Sequence, residues 1–216
     1  MELLVAVVVI AVLAGLLIGC VRMVRESAKR TACVNNLRQM GMGALAFRQD
    51  NAAYPNGDPI GSWPACVAAA TVFTLADTYG LDQRAWTCPD GPRALAFTDF
   101  GNSQISEADA RTAPTTSRAV VSYQYLANFG ASYPWVIRRA HQEANLALAG
   151  DLLSSVDGQQ TGNHIATSSW NWNASAFKER WGGNELFLDG SVRWFAGTQA
   201  SGYFTNWATF LMVLSQ

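Results

Sequence analysis

The stretch MELLVAVVVIAVLAGLLIGCVRMVRESAKR (residues 1–30) decides how the rest of the chain must be arranged. One acid, Glu2, is followed by nineteen uncharged residues, Leu3–Val21, and then by Arg22, Arg25, Lys29 and Arg30. A helix of that length covers roughly 28 Å, close to the ~30 Å hydrocarbon core of a bilayer. A cleaved signal peptide would carry basic residues ahead of a shorter apolar stretch, and nothing basic precedes this one. The helical signal then continues. Cys33, Leu37, Met40, Ala44 and Phe47 recur at spacings of four and three, with Val34, Gly41 and Leu45 alongside, as one face of an amphipathic helix requires. DNAAYPNGDP (residues 50–59) stops it with Asn, Pro and Gly. The first fifty residues are therefore expected to form one helix of roughly 70 Å. Residues 3–21 would be a transmembrane segment or the core of something that assembles through it, residues 22–50 an amphipathic spine, and residues 51–216 a globular head.

Composition excludes several classes. Of 216 residues, half are hydrophobic and only 14% charged. Residues 1–50 hold six Lys/Arg against three Asp/Glu, and residues 51–216 nine against thirteen. Neither part has the dense basic stripe of a nucleic-acid binder. The four cysteines, Cys20, Cys33, Cys66 and Cys88, form no C-x-x-C pair, so zinc-ribbon and thioredoxin-like readings lack support. His141 and His164 are the only histidines and lie in no H-x-x-x-H frame, and no G-x-S-x-G or phosphate loop occurs. No enzyme, cofactor or metal is expected; for Asp151 and Asp157 a solvated turn outweighs a calcium site. Trp170, Trp172, Trp181, Trp194 and Trp207 suit a tryptophan-rich core and subunit interface better than a sugar-stacking surface. The basic residues after the apolar run would place the head in the cytoplasm, unless a basic leader is removed first.

The head reads as α+β. ACVAAATVFTLADTYG (Ala65–Gly80) has the length and alanine content of a short helix ended by glycine. Ala119–Leu126 and Asn145–Leu152 are expected strands. NELFLDGSVRWF (Asn184–Phe195) reads as a hairpin with a type I′ turn at Asp189-Gly190. Phe100–Thr116 and Gln159–Ala176 read as long surface loops, and the tail YFTNWATFLMVLSQ fits a helix or an edge strand equally. Asn173-Ala174-Ser175 is an isolated sequon. An antiparallel sheet packed on the amphipathic half of the helix is the simplest assembly of these parts.

Three segments carry a family resemblance. ELLVAVVVIAVLAGLLIG followed by CVNNLRQMGMGAL (Cys33–Leu45) resembles the amino-terminal module of type IV pilins and pseudopilins. With WTCPD (Trp86–Asp90) and NELFLDGSVRWF, the chain is similar to the bacterial group that joins a prepilin-type cleavage/methylation segment to a DUF1559 or H-x9-DG body. Two departures stand out. The family's histidine falls on Glu179 here, so its role does not carry over, and Gly19 stands where many relatives have proline. The resemblance implies a pilin-like fold and a structural subunit of a type IV pilus-like filament or a type II secretion pseudopilus. Its partners would be copies of itself, a prepilin peptidase and inner-membrane assembly machinery. It would reside in the inner membrane before assembly, then in an extracellular or periplasmic filament.

Particular residues acquire expectations from this. Glu2 would neutralise the free α-amino group of a neighbouring subunit, since a carboxylate at the edge of hydrocarbon is costly without a cation; the alternative is a place in the headgroup layer, touching only water. Pilin-like proteins usually place that glutamate fifth after cleavage and here it is second, so either a few residues precede Met1 or processing at Met1 and Glu2 differs from the family's. Leu3, Val7, Ile10, Leu13, Gly15, Leu17 and Gly19 would lie in the filament core, with Gly15–Gly19 both a G-x-x-x-G contact and a melted or bent stretch. Cys33 and Cys88 sit on two of the family motifs. A disulfide between them would close a loop of 54 residues, with Cys66–Cys88 as the competing pair and three buried thiols as the third possibility. The alternative to a filament subunit is a membrane-anchored extracytoplasmic protein whose tryptophan-bearing loops bind a glycan or other ligand.

Overall fold

The computed structural model describes residues 2–60, 65–89, 95–127, 147–151, 153–156, 159–162, 182–196, 202–203 and 211–212. For residues 2, 16–20, 22, 153–156, 159–162, 182, 195–196, 202–203 and 211–212 the description is of the backbone alone. Within these limits the fold is α+β, with a long amino-terminal helix and antiparallel sheets.

Helix α1 spans Glu2–Asn51, fifty residues or about 75 Å. It runs unbroken through Gly15 and Gly19, so the single subunit shows no melted stretch there. Glycine, unlike proline, keeps the N–H that continues the ladder. In the second half Cys33, Leu37, Met40, Gly41 and Ala44 are buried while Met42 stays exposed. The helix ends where Ala52 turns to φ +51°. Asn51 Nδ2 donates to the Phe47 carbonyl (2.9 Å) and to the Tyr79 hydroxyl (3.2 Å), while that hydroxyl donates to Asp50 (3.0 Å).

Strand β1 (Cys66–Ala68) leads into α2 (Ala69–Asp77), so the expected helix Ala65–Gly80 begins with three residues of strand. Gly80, at φ +69°, lies just beyond α2 as a helix-ending glycine should. A 3₁₀ turn, Gln83–Trp86, follows, with Asp82 accepting from the Arg84 amide. Next come β2 (Ala96–Asp99), β3 (Gln104–Ile105), α3 (Glu107–Thr112), β4 (Ser117–Val120) and β5 (Tyr123–Tyr125). The segment read as the loop Phe100–Thr116 therefore holds a strand and a helix. Ser106 accepts from the Asp109 amide and donates to the Asp109 carboxylate (2.6 Å), a capping pair that starts α3. The single strand expected over Ala119–Leu126 is two, separated where the Val121 amide turns to the Ala65 carbonyl and the Ser122 amide to the Trp86 carbonyl.

The remaining strands are β6 (Ala147–Asp151), β7 (Leu153–Val156), β8 (Gln159–Gly162), β9 (Gly182–Phe187), β10 (Val192–Ala196), β11 (Gly202–Tyr203) and β12 (Leu211–Met212). They complete two four-stranded antiparallel sheets, β1-β4-β2-β3 and β10-β9-β6-β5, and two ribbons, β7-β8 and β11-β12. The one-sheet expectation is thus corrected. The second sheet carries α1, while α2 and α3 pack on the first, with Phe73 stacked on Phe97 at 5.2 Å.

The β9–β10 hairpin is present, but its turn is not type I′. The Gly190 amide donates to the Phe187 carbonyl, and Phe187 pairs with Ser191. Gly190 has φ +81°, while Asp189 is absent from the positive-φ residues. This is a three-residue loop with glycine in the left-handed position, not a two-residue one. The β2–β3 connection repeats the pattern with Asn102 at φ +68°.

Candidate assembly site

Two surfaces of α1 concern function: the apolar half and the seam that fixes the helix to the head. Among the described residues, the apolar side chains along the first half are largely exposed. Leu3 is 80% exposed, Ile10 65%, Val7 57% and Leu13 55%. A Cβ added at Gly15 would meet no atom within 4 Å. Leu17 and Gly19 are helical, but their side-chain environment lies outside the described residues, as do Met1 and the side chain of Glu2. Among the described residues no helix is long and apolar enough to cross a membrane. The described apolar positions of the run are Leu3 to Gly15 and Val21, and the side chains at 16–20 fall outside that description.

The seam brings together the three segments that carried the resemblance. Cys33 of α1 and Cys88 form a disulfide with Cα atoms 5.4 Å apart, and Cys66, buried in β1, takes no part in it. The Cys66–Cys88 pairing is therefore excluded, as are three thiols. Such a closure is worth about 4 kcal/mol through the unfolded chain. One turn on, Asn36 Nδ2 donates to the Thr87 carbonyl (2.9 Å) and the Tyr123 hydroxyl (3.2 Å). Burial pushes the Tyr123 phenol far above its ordinary range, so it stays a neutral hydrogen-bonding group.

Asp151, at the end of β6, lies against the disulfide. Its carboxylate and the two sulfurs fall within 4.8 Å of one another, all buried. With both sulfurs spent on each other this is no metal centre. The carboxylate accepts instead from the Asn184 amide (2.7 Å) and Asn184 Nδ2 (2.8 Å). Asn184 thus holds β9 to β6 beneath the helix, and Leu186, two residues on and on the same face, meets Gly41. A Cβ at Gly41 would come within 2.8 Å of Leu186 Cδ1, and one at Gly190 would lie 3.5 Å from Leu45. Small residues here set how closely the helix and hairpin approach. Asp189 is exposed and caps the turn by accepting from the Ser191 amide (2.8 Å).

The opposite face of the same sheet holds Glu185. It is 3% exposed, and among the described residues neither carboxylate oxygen has a hydrogen-bond partner. Burial, with Asp151 nearby, pushes its pKa up to about 8. It lines a small cleft with Gln124, Gly150 and Asp151, with space for about one water (≈10 Å³).

Sequence reasoning located Cys33, Cys88 and Asn184 but missed Asn36, Tyr123 and Glu185, and weighed Asp151 only as a cation ligand. It also missed the fully buried Asp58, which pairs with Arg118 at 3.6 Å. Arg118 also donates to Asn102 in the β2–β3 loop. Trp86 is buried edge-to-face against Tyr125, whereas Trp194 is 38% exposed. Asp157, His141, His164, Asn173, Glu179, Trp170, Trp172, Trp181 and Trp207 lie outside the described residues.

No family model, no curated protein and no solved structure matches this chain.

Proposed function

We propose that the chain is a structural subunit, a pilin or pseudopilin, that polymerises through the apolar half of α1. The product is a type IV pilus-like extracellular filament or a type II secretion pseudopilus. The observation that carries this reading is the division of one continuous helix. Its second half packs on the head and is stapled to it, while the described apolar side chains of its first half are left largely exposed. An apolar surface of that extent requires another solvent. Lipid supplies it before assembly and identical helices supply it afterwards, at about 1.5–3 kcal/mol per fully buried Val, Leu or Ile side chain. The pilin-like sequence motifs support the same reading, because they lie on this helix and its seam.

In this account the subunit waits in the inner membrane, is processed by a prepilin peptidase, and joins the filament head-to-tail through a heterologous interface that does not close. Glu2 pairs with the α-amino group of a neighbour and sets the axial register. Coexpression with assembly machinery, followed by shearing and ultracentrifugation, tests it. Wild-type chain should pellet as filaments and Ile10→Lys should remain in the membrane fraction. Wild-type chain that never pellets, while a fragment beginning near Asn51 retains glycan binding, would instead indicate a membrane-anchored binding protein.

A further inference from the structure

Directly after the apolar run, α1 carries Arg22, Arg25, Lys29 and Arg30 against a single acid, Glu26, a net charge of +3 over nine residues. No other acidic residue occurs on α1 between Glu2 and Asp50. Arg25 and Lys29 are exposed and lie one turn apart on the same helix face. Arg30 is held in place: Glu26 accepts from it at 2.6 Å, and its guanidinium stacks 4.6 Å above the ring of Trp194. Trp194 belongs to β10, the edge strand of the sheet that carries α1. The head therefore contributes an aromatic ring at the level of the basic residues, and burial of α1 begins just above, at Cys33.

We propose that this collar, Arg25, Lys29 and Arg30 with Trp194, docks the head on anionic phospholipid headgroups. The inference rests on the reading of Leu3–Val21 as a membrane-inserted segment. Arg30 lies nine residues past Val21, about 13 Å along the helix, and long basic side chains reach back along that axis toward phosphates. Tryptophan beside basic residues suits the headgroup layer, where an amphipathic ring meets both apolar and wet surroundings. Charge argues for the same occupant. Residues 51–216 carry nine basic against thirteen acidic residues, so an anionic bilayer repels the head except at the collar. The contact would set the head's tilt, with the β10 edge toward the bilayer, before the subunit leaves for the filament.

The test is flotation of the full chain, diluted from detergent, on vesicles of phosphatidylcholine alone or with phosphatidylglycerol. Wild-type chain should float with both and favour the anionic vesicles at least tenfold at low salt. Each basic side chain at the surface supplies roughly a fivefold factor. Arg25→Gln/Lys29→Gln should float equally well on phosphatidylcholine but lose most of the preference. Its head should unfold at the wild-type temperature, because both side chains are exposed. Equal binding of wild-type chain to both vesicles, or an undiminished preference in the variant, overturns the collar and leaves membrane insertion standing. Failure to float with either vesicle overturns the insertion reading and the collar with it.

Discussion

Ile10 and Leu37 belong to one helix, yet the first is 65% exposed and the second completely buried. Nothing in local backbone preference separates them, since α1 is continuous through both. What differs is the partner. Leu37 faces a sheet of the same chain, whereas Ile10 is left largely exposed. The same helix therefore folds a head with one half and leaves the described apolar side chains of the other exposed; if that half is the proposed assembly surface, substitutions in the two halves should have opposite consequences.

The largest expected contrast is between Ile10→Asp and Leu37→Asp. A carboxylate at position 37 would be buried without a partner, and the head should fail to fold, seen as loss of the cooperative thermal transition. At position 10 the head's transition should be unchanged while pelleting of filaments is lost. Equal destabilisation by both would break the division. Next is the staple. Cys33→Ala/Cys88→Ala should cost the head about 4 kcal/mol in denaturant unfolding, and a near-zero effect would mean that seam packing alone fixes the helix.

A third contrast sets Glu185 against Glu26. Glu26 is exposed and paired with Arg30, whereas Glu185 is buried and unpartnered with its pKa raised from 4.5 to about 8. The folded state holds that proton more tightly than the unfolded one. The part of the stability that depends on Glu185 should be greatest below about pH 4.5 and fall as pH rises toward 8. Glu185→Gln should remove this slope and add up to about 3 kcal/mol at pH 7, read by unfolding at several pH values. A slope that survives the substitution assigns it to another group. The smallest contrast is between two glycines. Gly41→Ala brings a Cβ against the fully buried Leu186 and should lose about 1 kcal/mol net. Gly15→Ala meets nothing in the monomer and should leave the head unchanged while stiffening the apolar half.

How much of this was legible in the sequence depended on how local each signal is. The stripe Cys33, Leu37, Met40 and Ala44 was legible because helical period needs only neighbouring residues. The hairpin was legible for the same reason. Its turn type was not, since Asp-Gly serves both a two-residue loop and a three-residue loop with glycine last. The Ser106–Asp109 cap is present in the sequence as S-x-x-D, but without an apolar-periodic run after it the segment reads equally as a loop. Cys33–Cys88 came from motif resemblance and not from spacing. Asp58–Arg118 and Asp151–Asn184 join residues far apart in the chain, and only the packed sheets bring them together. The break between β4 and β5 has no local breaker; it arises because the chain passes from one sheet to the other.

The most direct measurement is a helical reconstruction by electron cryomicroscopy of filaments assembled from this chain. The account requires the Leu3–Val21 helices packed together at the centre, with Glu2 beside a neighbour's amino terminus and the heads outward. Filaments held together by the heads, with the apolar helices on the outside, would contradict it.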